Sequence, residues 1–305
     1  MTKACLLFFF VLITCLNVKA QKAKLRLNLI TGETYHLTST SNLKTVQTIN
    51  GNLLESDFNI TAKISFKVSA IRDTLFDMQV SYDSLALKMD LPIGTINAGS
   101  ASGAKDIYEG ILSKLKSQSF LVVMARTGRI VSLGRLDSLI STISKTFTAV
   151  PEEQRAQAMH QIVQLLGEKA FKSNLEPCTY IFPSSPVNTN DKWSIDSQQE
   201  APVPVNFHTL YILKGIAASG YSIEGLTIIQ TGDKDTNAQL NQMPVKYSLG
   251  GNMSVTIQGD KATGWVTGAK ISRLIKGHLQ IKDNTQLPGG MLIPITITGN
   301  AVITK

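Results

Sequence analysis

Apolar and polar residues alternate along most of this chain, with the period of two that a half-buried β-strand requires. Phe58, Ile60, Ala62, Ile64, Phe66 and Val68 share one parity, and Asn59, Thr61, Lys63, Ser65 and Lys67 take the other. This predicts a long antiparallel strand with one apolar and one wet face. Asn50-Gly51 comes shortly before it. Both central residues of a type I′ turn need positive φ, so a strand over about Thr34–Ile49 should fold back at that dipeptide. After a turn at Ile71-Arg72-Asp73-Thr74, Phe76, Met78, Val80 and Tyr82 continue on one face, and the apolar phase then slips to Leu85, Leu87, Met89 and Leu91. An uncompensated slip would turn those side chains to the other face, so a β-bulge is predicted near Asp83-Ser84.

The period then changes. Asn97 to Gly103 reads as a small-residue loop. Ile107, Ile111, Leu112 and Leu115 recur at helical spacing. A short hairpin is expected from Phe120–Met124 through Arg126-Thr127-Gly128 to Ile130-Val131. Leu136, Leu139, Ile140, Ile143 and Phe147 mark a second helix. A third starts at Pro151, with Glu152 and Glu153 where the helix dipole favours acids. Ala156, Met159, Ile162, Val163 and Leu166 form its predicted buried face, ended or interrupted by Gly167. From Tyr180 the chain returns to strands, read at Phe207–Leu213, Tyr221–Gln230, Val245–Ile257, Trp265–Ile281 and Met291–Ile303. Pro294 suggests an edge or a bulge in the last one. Strands, helices, strands in that order define an α+β plan of mostly antiparallel, strongly curved sheets with a central helical segment. The expected division is a leader at 1–20, a β region at 21–96, a helical segment with a short hairpin at 97–176 and a second β region at 177–305, the last three forming one two-lobed domain or separate units.

The leader changes the address. Lys3 is followed by an apolar run from Ala4 to Cys15, broken only by Thr14, and Val18-Lys19-Ala20 offers a cleavage site before Gln21. That is the layout of a secretory signal peptide, too short to span a bilayer, so the expectation is an exported protein, periplasmic or extracellular, that does not cross the membrane. A second reading makes Cys15 a lipidated first residue anchoring the chain to the outer membrane. Cys178 is the one cysteine outside the leader, which leaves no disulfide to form within the remainder, and stability must come from the core.

Composition narrows the chemistry mainly by exclusion. The charge is +8, from 30 basic and 22 acidic residues, and the lysines are dispersed rather than massed, so nucleic acid is not an expected partner. His36, His160, His208 and His278 sit in separate elements without ligand spacing, and neither a metal nor a cofactor is expected. Gly99-Ser100-Ala101-Ser102-Gly103 lacks the serine a nucleophile elbow needs at its third position. A serine or cysteine hydrolase would require a histidine brought to Ser102 or Cys178 by the fold.

Arg273 is the residue that fits least well. It has the parity of Ile271, Ile275, Leu279 and Ile281, and an arginine on an apolar face must reach a rim, find a partner inside, or hold an anionic group.

Four segments together resemble an uncharacterised family of exported Bacteroidota-type envelope proteins, classified only as a domain of unknown function. They are Leu27-Asn28-Leu29 with Gly32-Glu33-Thr34-Tyr35, Gly128 with Arg129-Ile130-Val131, Pro186-Val187-Asn188-Thr189-Asn190-Asp191-Lys192-Trp193, and Thr263-Gly264-Trp265-Val266. Asn190 stands where the family pattern has glycine, and both tolerate left-handed φ. The resemblance implies turns and strand anchors and no catalytic residue.

The expectation is therefore a non-catalytic envelope protein that binds or carries a hydrophobic ligand such as a lipid. Phe58, Ile60, Ile64, Phe66, Leu85, Leu87 and Met89 would line the site and Arg273 would meet a head group. The alternative is an envelope scaffold that pairs with a protein partner through its sheet edges.

Overall fold

The computed structural model describes residues 22–100, 106–116, 118–199, 205–231, 238–240, 243–285 and 287–305. The expected leader, Cys15 and Ser102 lie outside these residues. Thirteen strands make up a single antiparallel sheet: β1 (Thr34–Ile49), β2 (Asn52–Arg72), β3 (Leu75–Leu91), β4 (Gly94–Gly99), β5 (Ser119–Ala125), β6 (Ile130–Gly134), β7 (Lys192–Gln199), β8 (Val205–Ile216), β9 (Gly220–Gln230), β10 (Ala238–Leu240), β11 (Met243–Asp260), β12 (Val266–Ile281) and β13 (Met291–Thr304). The helices are α1 (Ile107–Lys116), α2 (Leu136–Lys145), α3 (Glu152–Leu166) and α4 (Glu168–Thr179). The spatial order is β6-β5-β3-β2-β1-β13-β12-β11-β9-β8-β7, with β4 on β3 and β10 on β11. The sheet is open, and β6 and β7 end it.

The two β regions read from the sequence are thus halves of one sheet, joined where β1 pairs with β13. The first hairpin has Asn50 at φ 52° and Gly51 at φ 79°, closing the Ile49–Asn52 pair. On β3, Asp83 is bulged out: Lys63 pairs with Ser84 and Ile64 with Tyr82. The bulge returns Leu85, Leu87 and Met89 to the face of Met78 and Val80, and all five are buried.

Two local expectations are corrected, and a third, the edge at Pro294, holds only locally. The loop expected at Asn97 begins later, because Asn97, Ala98 and Gly99 pair with Lys88, Leu87 and Ala86, and buried Ala98 shows that a small residue still serves a strand packed under a helix. On α3, Ala156 is exposed and Ala158 is buried with Ile162 and Leu166; the stripe follows the contact with α2 and α4 rather than the most apolar line of residues. Pro294 lies in an interior strand. Its pairing with β1 begins only at Ile295, so the missing N–H falls where one flank of β13 has no partner.

Gly167 breaks the third helix and α4 follows at once. Phe171 on α4 is buried against Phe66, Tyr82 and Phe120, with ring centroids 5.2–6.3 Å apart. Phe66 also meets Trp265 edge-on at 5.2 Å. These rings join β2, β3, β5, α4 and the β11–β12 turn into one core.

Among the described residues no helix is long and apolar enough to cross a membrane.

Candidate functional site

The residues of the four resembling segments meet at one end of the sheet. Ala23 and Val187 exchange backbone hydrogen bonds of 2.8 and 2.9 Å, the Leu27 N–H donates to the Arg126 carbonyl at 2.8 Å, and the Asn28 N–H to the Thr263 carbonyl at 2.7 Å. Gly264 (φ 70°) packs against the Arg26 carbonyl so closely that a β-carbon would not fit. Asp260 accepts both the N–H and the hydroxyl of Thr263, and these bonds hold its carboxyl below its ordinary pKa. Asn190 has φ 70°, as its place in a glycine pattern implies, and the Trp193 indole donates to the Ile181 carbonyl at 2.9 Å. These groups tie chain segments together and leave no reacting pair.

The other chemistry-bearing residues are also accounted for structurally. The buried Cys178 thiol donates to the Leu175 carbonyl at 3.2 Å, and burial pushes its pKa up to about 12. Glu176 is buried and accepts the Ile130 N–H at 2.9 Å; burial raises its pKa, against the opposing pull of Lys172 and Arg129. A polar groove of about 700 Å³ lies beside it, lined in part by Arg129, Lys172, Asp196 and His208. His208 Nδ1 is 2.6 Å from Asp196, both exposed. His36 is exposed, with Nδ1 3.0 Å from the Ser65 hydroxyl. Among the described residues no three metal-ligating side chains come together.

The expected ligand residues fall in register. Reading across the strands on one face, Ile195, Thr209, Thr227, Met253, Arg273, Gly299, Leu43, Phe58, Met89 and Ile96 are successive pairing partners. The next row runs Ile271, Ala301, Ser41, Ile60, Leu87. Five of the seven apolar residues, Ile64, Phe66, Leu85, Leu87 and Met89, are buried in the continuous core, while Phe58 and Ile60 are half-buried at its margin. Ser41, Leu43 and Thr45 beside them on β1 are half-buried too.

Arg273 occupies the middle of its row, 9% exposed. Its Nε is sealed from solvent without an acceptor, and no ion pair to it exists among the described residues. Burial lowers its pKa, and no carboxylate is close enough to oppose that shift. Its stem lies over Gly299: the Cγ and Nε are each 2.9 Å from where a β-carbon on Gly299 would stand. The side chain therefore leans toward β13 and β1. Parity alone shows that Arg273 shares the apolar face; its neighbours Gly299 and Leu43 follow only from pairing strands far apart in sequence.

The fold and this site define a mostly antiparallel β protein with a helical insert and, among the described residues, one buried cation without a partner. A family of unknown function (DUF6263) matches over residues 73–266, and the chain belongs to that family. Nothing among curated proteins matches it. A lipovitellin, from a structure of lipid–protein interactions, is similar at 10% identity and a TM-score of 0.49 over 91% of this chain, which spans 25% of the lipovitellin chain. An outer membrane channel from Pseudomonas putida F1 aligns at 8% identity and a TM-score of 0.21, over 95% of this chain and 99% of its own. A DUF1329 family protein from Desulfovibrio piger aligns at 10% identity and a TM-score of 0.15, over 88% of this chain and 85% of its own.

Proposed function

We propose that this protein is a non-catalytic, exported shell that binds or carries a hydrophobic ligand such as a lipid. The observation that carries the reading is the reach of α4. It lies against β6 and against β7, the two ends of the sheet, and also against β11 and β12 in its middle. Laid flat, eleven strands would hold those ends about 48 Å apart. A helix of 12 residues extends about 18 Å. A sheet curled around the helix, with the apolar parity inside, would account for these contacts.

A wrapped sheet with an apolar inner face is the architecture that can enclose an apolar guest. The half-buried stretch of Leu43, Phe58 and Ile60 is where a guest would meet the wall, since the next residues of that parity along β2, Ala62 and Ile64, are already buried. The buried thiol of Cys178, with its raised pKa, is no nucleophile, which favours binding over catalysis.

Native mass spectrometry of protein purified from an envelope fraction, before and after organic extraction, tests this. A discrete lipid-sized mass lost on extraction supports the shell. The same apo mass from repeated gentle preparations, together with no uptake of added lipid, overturns it.

A further inference from the structure

We propose that Arg273 is the head-group residue of a site for an amphiphile with a single negative charge, whose apolar chain lies along Leu43, Phe58 and Ile60. The inference rests on the ligand-shell reading above and gives that ligand its chemical class.

The argument starts from cost. A guanidinium carries five N–H donors and keeps its charge in any protein environment. Burying it without an anion or a set of acceptors is strongly unfavourable. Arg273 is buried, its Nε has no acceptor, and among the described residues it has no hydrogen bond or ion pair. The stem folds over Gly299, and of the guanidinium nitrogens Nε alone is sealed without an acceptor, which leaves the two terminal nitrogens within reach of an anion.

The row on which it sits indicates what would balance it. On one side stands Met253, buried, and beyond it Thr227 and Thr209, whose hydroxyls satisfy each other at 2.9 Å. The acid on that side, Glu176 of α4, shares a pocket with Met253 and Thr209, but it accepts the Ile130 N–H and, among the described residues, makes no ion pair with Arg273. On the other side come Gly299, Leu43 and Phe58. The glycine removes the side chain that would block the guanidinium, and the two apolar residues beyond it are only half-buried. An anion approaching from β1 would reach the fork of donors with its apolar portion over Leu43, Phe58 and Ile60. Three strand spacings separate Arg273 from Phe58, about 14 Å, close to the roughly 15 Å depth of one leaflet of a bilayer core. One guanidinium balances one charge, so the head is a monoanion, either a carboxylate or a phosphodiester.

Binding to the purified protein is measured by calorimetry with four probes: oleate, methyl oleate, dioleoyl phosphatidylglycerol and inorganic phosphate. The expected result is that oleate or phosphatidylglycerol binds at least tenfold more tightly than methyl oleate. Arg273→Met should abolish that preference while still binding methyl oleate, and Arg273→Lys should retain part of it. Which of the two anionic lipids is preferred identifies the head as carboxylate or phosphodiester. Equal binding of oleate, phosphatidylglycerol and methyl oleate, unchanged in Arg273→Met, overturns the head-group inference and leaves the apolar shell standing. Binding of phosphate with no binding of any lipid overturns both. No binding of any probe also overturns both.

Discussion

Gly299 lies under Arg273. The two are pairing partners on β13 and β12, and the arginine stem passes 2.9 Å from where the glycine would carry a β-carbon. Gly299→Ala should therefore force the arginine to move and destabilise the protein by about 1–3 kcal/mol, the usual range for an overpacked site. In an Arg273→Ala background the same substitution should cost far less. Chemical denaturation of the four proteins measures the coupling, and additive effects would mean that the stem does not rest on the glycine.

The first hairpin isolates backbone strain from packing. Gly51 has φ 79° and open space around its missing side chain, so Gly51→Val should lose about 1–2 kcal/mol through conformation alone. Asn50→Gly, at φ 52°, should be close to neutral. Urea midpoints of the two variants check the contrast.

Glu176 gives a pH dependence with a definite sign. Burial raises its folded pKa above the unfolded one, so its contribution is fully present below the unfolded pKa and is lost as pH rises through the folded pKa. Glu176→Gln keeps an acceptor for the Ile130 N–H and removes the charge. The variant should gain stability relative to the parent protein as pH goes from about 4 to 7, and a gap that stays flat or narrows would contradict the burial argument.

Cys178 should be silent in the folded state. With a thiol pKa of about 12 and no exposure, it should react with a thiol reagent at the rate of unfolding. Labelling that is fast in native buffer and complete before unfolding would show that α4 opens independently of the sheet.

Much of the sheet was legible because its signals are local. The Asn50-Gly51 turn places β1 at its observed bounds, the alternation at Phe58–Val68 marks the middle of the longer β2, and the phase slip after Tyr82 locates the bulge at Asp83. Helix α4 was not read as a separate element. Its sequence carries Pro177 near its end and a buried face that mixes Phe171 and Leu175 with Ser173 and Glu176, so its apolar period is weak and only tertiary packing reveals it. Arg273 was visible as an odd residue from parity alone. That it faces Gly299 and Leu43 depends on β13 pairing both β12 and β1, a long-range register with no local mark. The half-buried state of Phe58 and Ile60, beside buried Ile64 and Phe66 of the same parity, depends on where the aromatic cluster lies.

The seam between β1 and β13 has a consequence for how the molecule is made. Thr38 pairs with Thr304 and Gln47 with Ile295, so the sheet cannot be completed while its C-terminal strand is still being synthesised. Until then the first six strands and the six from β7 to β12 are separate half-sheets, and β1 and β12 each present a free edge. Contacts of such long sequence separation form slowly, and bare edges are templates for wrong pairing. A chain kept extended until it is whole would avoid both hazards, because β13 would then be available to close the seam from either side.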